Sequence, residues 1–184
     1  MTIQGVSLEP VRVQSDEFQE FQQRFDNTLV SLYEVNYAEI VPGYLGEATD
    51  WDTTTYYHGT SHCGCVDNRI SNGEKKKIDV SAWCNSVNCG TRGIITHGHL
   101  KMMLTATEGH YFSPDWTVAR NYARVRSSAV QSTLRSQGKE FNKHLSIFVC
   151  IGRKILQSTK GKNFYYVQKD SEILPVFLAI VRNN

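Results

Sequence analysis

The chain has 184 residues, of which 40% are hydrophobic and 21% charged, and its formal net charge is +2. These values are typical of a single globular domain with a hydrophobic core, and they exclude a strongly basic nucleic-acid-binding protein. No apolar run reaches the roughly 18 residues that a membrane span requires. Residues 1–13 lack the pattern of a secretory signal, and the cysteine count, five, is odd. We therefore expect a reduced, intracellular protein of the cytoplasm or nucleus, with no membrane partner.

The first half of the chain predicts one helix followed by strands. Ser15 is a suitable cap for a helix that runs to about Asn27, because Ser readily accepts a hydrogen bond from the first helical turn. Alternation over residues 29–37 predicts a strand, and the Thr- and Tyr-rich residues 53–58 predict another, ending at Gly59. The helix would place three phenylalanines on one core-facing stripe: Phe18, Phe21 and Phe25.

The second half predicts more strands around one further helix. Polar residues 61–83 indicate a loop, within a cysteine-containing insertion at about 61–95, and residues 93–100 are compatible with a short helix or strand. The run Ser113-Pro114-Asp115 predicts a helix start, with Ser113 as cap, and the polar residues 126–143 favour a loop, with a helical part as an alternative. Apolar runs predict strands at 145–151, 164–167 and 173–181, the last with Pro175 at an edge or bulge. The whole chain, residues 1–184, is predicted to be one α+β domain built on antiparallel sheets.

Four cysteines raise the question of a metal. With His62, His97 and His99 nearby they offer four zinc ligands, but the chain has no Cys-x-x-Cys pair, so we expect structural cysteines and no metal. A disulfide between Cys84 and Cys89 is compatible with an oxidising setting. The four cysteines are Cys63, Cys65, Cys84 and Cys89.

One basic stretch is present in the second half of the chain. A solvated helix face explains it more simply than a nucleic-acid site. The stretch consists of Arg120, Arg124, Arg126 and Arg135.

Several short motifs follow one another in a recognisable order. They are Tyr57-His58-Gly59-Thr60, Gly109-His110-Tyr111-Phe112, Ala119-Arg120-Asn121-Tyr122, Phe164-Tyr165-Tyr166-Val167 and Pro175-Val176-Phe177-Leu178. In this order they resemble the catalytic domains of poly(ADP-ribose) polymerases and their mono-ADP-ribosylating relatives, over roughly residues 18–181. The segment from Cys84 to Ile95 is similar to a variant of fungal members. The form Tyr-His-Gly-Thr also resembles the diphtheria-type toxins.

The resemblance implies an ADP-ribosyltransferase fold, in which two mainly antiparallel sheets form a split β-sandwich with flanking helices. It implies NAD as co-substrate, with His58 on a ribose hydroxyl and the backbone of Gly59 paired with the nicotinamide carboxamide. Tyr111 and Tyr122 would stack on the two faces of the nicotinamide ring. Thr60, Phe112 and Ala119 complete the implied cofactor site.

Two positions depart from the family's pattern. Ala119 stands where the resemblance places a serine that hydrogen-bonds the carboxamide; counting four residues back from Tyr122 would instead give Val118. Phe164 stands where the catalytic glutamate is usual, so the implied catalytic triad is His58, Tyr111 and Phe164. Phenylalanine can neither hold the ribose 2′-hydroxyl nor polarise an acceptor hydroxyl.

The resemblance therefore implies a mono-ADP-ribosyltransferase that transfers single units from NAD to an unidentified acceptor and releases nicotinamide. Two alternatives remain open at this point. One is an inert protein that kept the fold as a binding module. The other is a transferase whose acceptor is a nucleic acid or a small molecule, for which the arginine stretch is the only hint.

Overall fold

A computed structural model describes residues 4–39, 51–66, 78–79, 84, 86, 89–97, 110–135, 143–153, 165–167 and 173–184. Several residues of interest lie outside these ranges: Gly109, Phe164 and His99, and most of the predicted insertion. The described part contains three helices and eight strands. The helices are α1 (Asp16–Arg24), α2 (Gly90–His97) and α3 (Trp116–Arg135). The strands are β1 (Gln4–Pro10), β2 (Leu29–Glu39), β3 (Trp51–Thr60), β4 (Ile78–Asp79), β5 (His110–Phe112), β6 (His144–Arg153), β7 (Tyr165–Val167) and β8 (Ile173–Arg182).

The strands form two antiparallel sheets. The larger has the order β3-β6-β8-β2-β1-β4, and the smaller pairs β5 with β7. All strand pairs among the described residues are antiparallel. The predicted α+β class with antiparallel sheets is therefore confirmed.

The large sheet is buried on both faces, as strand β6 shows by its alternation. Leu145, Ile147 and Val149 belong to one hydrophobic cluster, whereas Phe148 and Cys150 belong to another. Because successive side chains of a strand point to opposite faces, these clusters lie on the two sides of the sheet. The first side is covered by α1 and α3 and is called the α3 face; the second is covered by α2 and is called the α2 face.

Helix α1 forms as predicted but ends earlier. The Ser15 hydroxyl accepts a hydrogen bond from the Phe18 N–H at 3.2 Å, and Phe18, Phe21 and Phe25 are buried on the α3 face. The helix stops at Arg24 because Asp26 and Asn27 have φ angles of 49° and 59°, the left-handed conformation that Asn and Asp tolerate best.

Helix α3 differs from the prediction at both ends. Its cap is Asp115, whose Oδ1 accepts from the Thr117 N–H at 2.8 Å. The Ser113 hydroxyl does accept a hydrogen bond from the Asp115 N–H at 3.0 Å. However, the backbone of Ser113 forms a β-bridge with Tyr57, so the helix starts later, at Trp116. The helix also continues to Arg135, so the first part of the segment 126–143 takes the helical alternative and not the loop.

The remaining predicted elements are placed as follows. The strands predicted at 29–37, 53–58, 145–151 and 173–181 are confirmed. Of the strand predicted at 164–167, residues 165–167 form β7. The register shifts opposite Pro175, which confirms its bulge. Residues 93–100 were compatible with a helix or a strand, and residues 93–97 belong to helix α2. Strand β1 was not predicted. No helix in the described ranges is both long and apolar enough to cross a membrane.

Candidate functional site

The candidate site lies at the outer edge of strand β3, the end strand of the large sheet. There the Tyr57 N–H donates to the Ser113 carbonyl oxygen at 2.8 Å, and the Ser113 N–H donates to the Tyr57 carbonyl oxygen at 3.0 Å. This pair of bonds fixes the end of β5, and the start of α3 behind it, against β3. The motifs that are distant in sequence are brought together at this point.

The backbone of Gly59 faces the same outer edge. In a strand the N–H and C=O of one residue point to the same side, and this side alternates from residue to residue. Because Tyr57 points its peptide groups outward to Ser113, Gly59, two positions on, does so as well. Among the described residues, no hydrogen bond outside the β3–β6 ladder involves these Gly59 groups. An amide ligand at this edge could pair with both of them.

The missing side chain of Gly59 makes room for helix α3. A β-carbon built on Gly59 would collide with the carbonyl group of Ala119 and crowd the backbone nitrogen of Ala123. Glycine is therefore required here by the close approach of the helix. This contact holds Ala119 beside the Gly59 peptide.

His58 points to the α2 face of the sheet and is 9% exposed. Its Nδ1 lies 2.9 Å from the carbonyl oxygen of Tyr111. A carbonyl only accepts, so Nδ1 carries the hydrogen of this bond. The ring also lies against Phe112, with centroids 5.2 Å apart. His58 thus links β3 to the backbone of β5.

A small pocket opens where these elements meet. Its empty volume of about 220 Å³ includes space open to solvent, so the pocket is a shallow depression and not an enclosed cavity. The pocket is lined by Tyr57, Gly59, Tyr111, Phe112, Ser113, Val118, Ala119 and Tyr122.

Two tyrosines flank this pocket in different environments. Tyr111 is 37% exposed, one of the most exposed large hydrophobic side chains described. Tyr122 is held by Arg126: its hydroxyl oxygen accepts bonds from Nε at 3.0 Å and from Nη2 at 2.6 Å. The Arg126 guanidinium also lies 5.0 Å from the centre of the Tyr122 ring, a cation–π distance. Burial raises the pKa of Tyr57, another pocket residue, and the Arg24 guanidinium partly offsets this effect.

The structure brings together most of the predicted cofactor residues. Gly59, Tyr111, Phe112, Ala119 and Tyr122 line the pocket, and His58 lies directly behind it. Thr60 does not line the pocket; it is buried, with its hydroxyl next to Gly90. Its placement among the cofactor residues is therefore not supported by the pocket.

The residue predicted as the third member of the triad, Phe164, lies outside the described residues. Strand β7 begins one residue later and pairs with β5, Tyr165 opposite Phe112 and Tyr166 opposite Tyr111. None of the residues that line the described pocket carries a carboxylate. Ala119 likewise brings no hydroxyl to the pocket, as its position in the sequence motif indicates.

Sequence reasoning missed three pocket residues and one neighbour. Tyr57, Ser113 and Val118 line the pocket, and Arg126 fixes Tyr122. Strand alternation was a usable signal for Tyr57, because it precedes Gly59 by two positions. Nothing in the sequence pattern indicated that Ser113 would bridge to β3.

Four thiols gather just beyond the end of β3. The sulphur atoms of Cys63, Cys65, Cys84 and Cys89 all lie within 4.8 Å of one another, and none of the five cysteines forms a disulfide. The prediction that no metal binds rested on their poor spacing in sequence. Their convergence in space makes this cluster a candidate metal site, whereas Cys84 and Cys89 do not form the disulfide considered above.

The basic stretch is partly engaged in internal contacts. Arg120 and Arg124 both donate to the carbonyl oxygen of Asn184, at 2.8 and 2.6 Å, and Arg124 also donates to Asn183 Oδ1 at 2.9 Å. Arg126 contacts Tyr122. These contacts account for three of the four arginines without a nucleic acid.

In comparisons with known proteins, the chain matches no protein-family model, and no curated protein matches it significantly.

Proposed function

We propose that the chain binds NAD at the β3 edge and transfers single ADP-ribose units to an acceptor, with release of nicotinamide. The observation that carries this proposal is the outward-facing peptide of Gly59 at a pocket that Tyr111 and Tyr122 also line. A carboxamide needs one acceptor for its N–H and one donor for its carbonyl, and a single extended residue supplies both. The flanking aromatic rings suit a planar cation, which is the charge state of the nicotinamide ring in NAD. The likeness to the ADP-ribosyltransferase fold belongs to the same proposal.

His58 would accept a hydrogen bond from a ribose hydroxyl through Nε2. Its Nδ1 bond to the Tyr111 carbonyl sets this tautomer and holds the ring in place. A variant at His58 should therefore affect the orientation of the ribose more than the stacking of the nicotinamide.

The reaction breaks the bond between the ribose C1′ and the nicotinamide nitrogen, and the electron pair of that bond leaves with neutral nicotinamide. The acceptor then forms the new bond to C1′. Because the described pocket has no carboxylate to take a proton, an acceptor that is already deprotonated suits this site best. A carboxylate side chain fulfils this condition, whereas a ribose hydroxyl, which chain growth would need, does not. The proposal is therefore single transfer.

The test is incubation of purified protein with NAD labelled in the adenine ring, alone and with cell lysate, with both transferred label and released nicotinamide measured. We expect single ADP-ribose units on an acceptor and loss of both signals in His58→Ala. Absence of NAD binding by calorimetry, together with no nicotinamide release, would refute the proposal.

A second candidate function is an inert binding module. The small pocket volume and the guanidinium already on the Tyr122 ring favour it. This alternative predicts that the protein releases no nicotinamide with any lysate, even if NAD binds. A nucleic-acid acceptor has less support, because Arg120, Arg124 and Arg126 already have internal partners.

A further inference from the structure

We propose that Cys63, Cys65, Cys84 and Cys89 bind one zinc ion through four thiolates, in a structural site next to the β3 edge. This inference is independent of the proposed transferase activity. It rests on the positions of the four sulphur atoms, on the backbone around them and on the hydrogen bonds of the neighbouring His62.

The spacing of the sulphurs matches a tetrahedral metal site. Cys63 Sγ lies 3.8 Å from Cys84 Sγ, and Cys65 Sγ lies 3.6 Å from Cys89 Sγ. With Zn–S bonds of about 2.3 Å, the edge of a tetrahedron is about 3.8 Å. A disulfide would bring two sulphurs to about 2.05 Å. The four atoms are therefore arranged around a common centre and are not paired as disulfides.

The turn between the first two cysteines explains how a Cys-x-Cys pair can serve as ligands. Gly64, between them, has a φ of 85°, a conformation that L side chains rarely adopt. The chain therefore reverses at this point, and both sulphurs reach the same centre. Because of this turn, the absence of a Cys-x-x-Cys pair does not prevent these cysteines from sharing a metal ion.

A backbone N–H group points at one of the sulphurs: the Arg92 N–H donates to Cys89 Sγ at 3.3 Å. Such a bond stabilises negative charge on sulphur and orients a metal ligand, as expected where thiols must be deprotonated.

The fifth cysteine is separate from this cluster. Cys150 is fully buried in the core and is not among the four thiols that lie within 4.8 Å of one another. It is therefore the matched control for variants in the cluster.

The neighbouring His62 is not a ligand. Its Nδ1 accepts a hydrogen bond from the Gly64 N–H at 3.1 Å, so the ring hydrogen is on Nε2, which donates to the His144 carbonyl oxygen at 2.7 Å. Both ring nitrogens are thus engaged. His62 instead connects the turn between Cys63 and Cys65 to the start of strand β6.

Four soft thiolates favour zinc or iron and disfavour magnesium or calcium. Because four protein ligands leave no open position, the ion would be structural. It would join the end of β3 to the start of α2, where the Thr91 N–H already donates to the Ser61 carbonyl oxygen at 2.9 Å. The site thus fixes the segment that directly follows His58 and Gly59.

The test is metal analysis of the full chain, purified under reducing conditions with zinc supplied, together with cobalt substitution. We expect one zinc ion per chain and, with cobalt, the intense visible bands and sulphur-to-metal charge transfer of a tetrahedral tetrathiolate. Cys89→Ser should lose the zinc and the cobalt spectrum, whereas the matched control Cys150→Ala should keep both. A strong chelator should lower the Tm of the wild-type protein and of the Cys150→Ala control.

The wild-type measurements keep the proposal falsifiable if Cys89→Ser does not fold. A folded, reduced wild-type protein with no zinc and no cobalt spectrum would overturn it. So would iron in place of zinc, or two disulfides formed by the four cysteines. These outcomes do not bear on NAD turnover, which is measured separately.

Discussion

The carbonyl group of Ala119 occupies the space in which any side chain on Gly59 would have to lie. A helix and an edge strand are therefore in backbone contact at the place where the strand presents its peptide to the pocket. This contact couples the packing of α3 to the geometry of the candidate site.

Gly59→Ala should destabilise the protein and disturb the site together, because the new methyl group must displace the backbone of α3. Overpacking of this kind costs about 1–3 kcal/mol or more. The matched control is Gly93→Ala in α2, where a β-carbon meets no atom within 4 Å. That control should stabilise the protein by about 0.5–1 kcal/mol, since alanine favours a helix over glycine. Urea unfolding measures both; equal effects would contradict this account of Gly59.

Substitutions at His58 should separate its structural bond from its proposed contact with ribose. Asparagine places an amide donor near the Nδ1 position, so His58→Asn should keep the bond to the Tyr111 carbonyl and much of the stability. It lacks the Nε2 atom and should lose ADP-ribose transfer. His58→Ala should lose transfer and also about 0.5–1.5 kcal/mol of stability, because it removes the hydrogen bond to the Tyr111 carbonyl. Full activity in His58→Asn would rule out the role of Nε2.

Ala119→Ser should strengthen NAD binding by supplying the hydroxyl that the pocket lacks. One added hydrogen bond of about 1 kcal/mol corresponds to roughly fivefold in affinity. Val118→Ser is the matched control, because Val118 also lines the pocket but is not the position that the motif aligns with serine. Calorimetry with NAD distinguishes the two, and a gain confined to Val118→Ser would reverse the alignment of this motif.

Tyr111 should act through its ring. Tyr111→Phe keeps the aromatic face and should retain most of the NAD affinity, whereas Tyr111→Ala should lose about 1–2 kcal/mol of binding, or roughly 5- to 30-fold. Because Tyr111 is 37% exposed, the phenylalanine variant should unfold near the wild-type temperature. Equal NAD affinity in the alanine and phenylalanine variants would exclude stacking.

Much of the sheet could be predicted from sequence, since strands such as β6 are continuous apolar runs. Strand β1 escaped prediction because only Val6 and Leu8 mark its alternation, and its pairing with β2 supplies the rest of its stability. The cap of α3 moved from Ser113 to Asp115 because the bridge to Tyr57, a tertiary contact, determines the backbone there.

In the site too, local sequence patterns were predictable and tertiary contacts were not. Short motifs identified most of the pocket, because His58-Gly59 and Tyr111-Phe112 are local patterns at strand ends. The role of Ser113, the contact of Gly59 with α3 and the convergence of four cysteines are properties of the folded chain. The cysteines illustrate the point best, since a single left-handed glycine, Gly64, brings together sulphurs whose spacing in sequence indicated no site.

Strand order has a consequence for how the chain reaches this structure. Strand β8, near the end of the chain, lies between β6 and β2, with Leu29 paired to Val181 and Leu145 also paired to Val181. The half of the sheet that contains β3 and β6 is therefore hydrogen-bonded to the half that contains β1 and β2 only through β8. Because such distant pairings slow folding, we expect a late, rate-limiting closure of the sheet. Until then both halves expose unpaired strand edges, and the nascent protein should be most prone to aggregation at this stage.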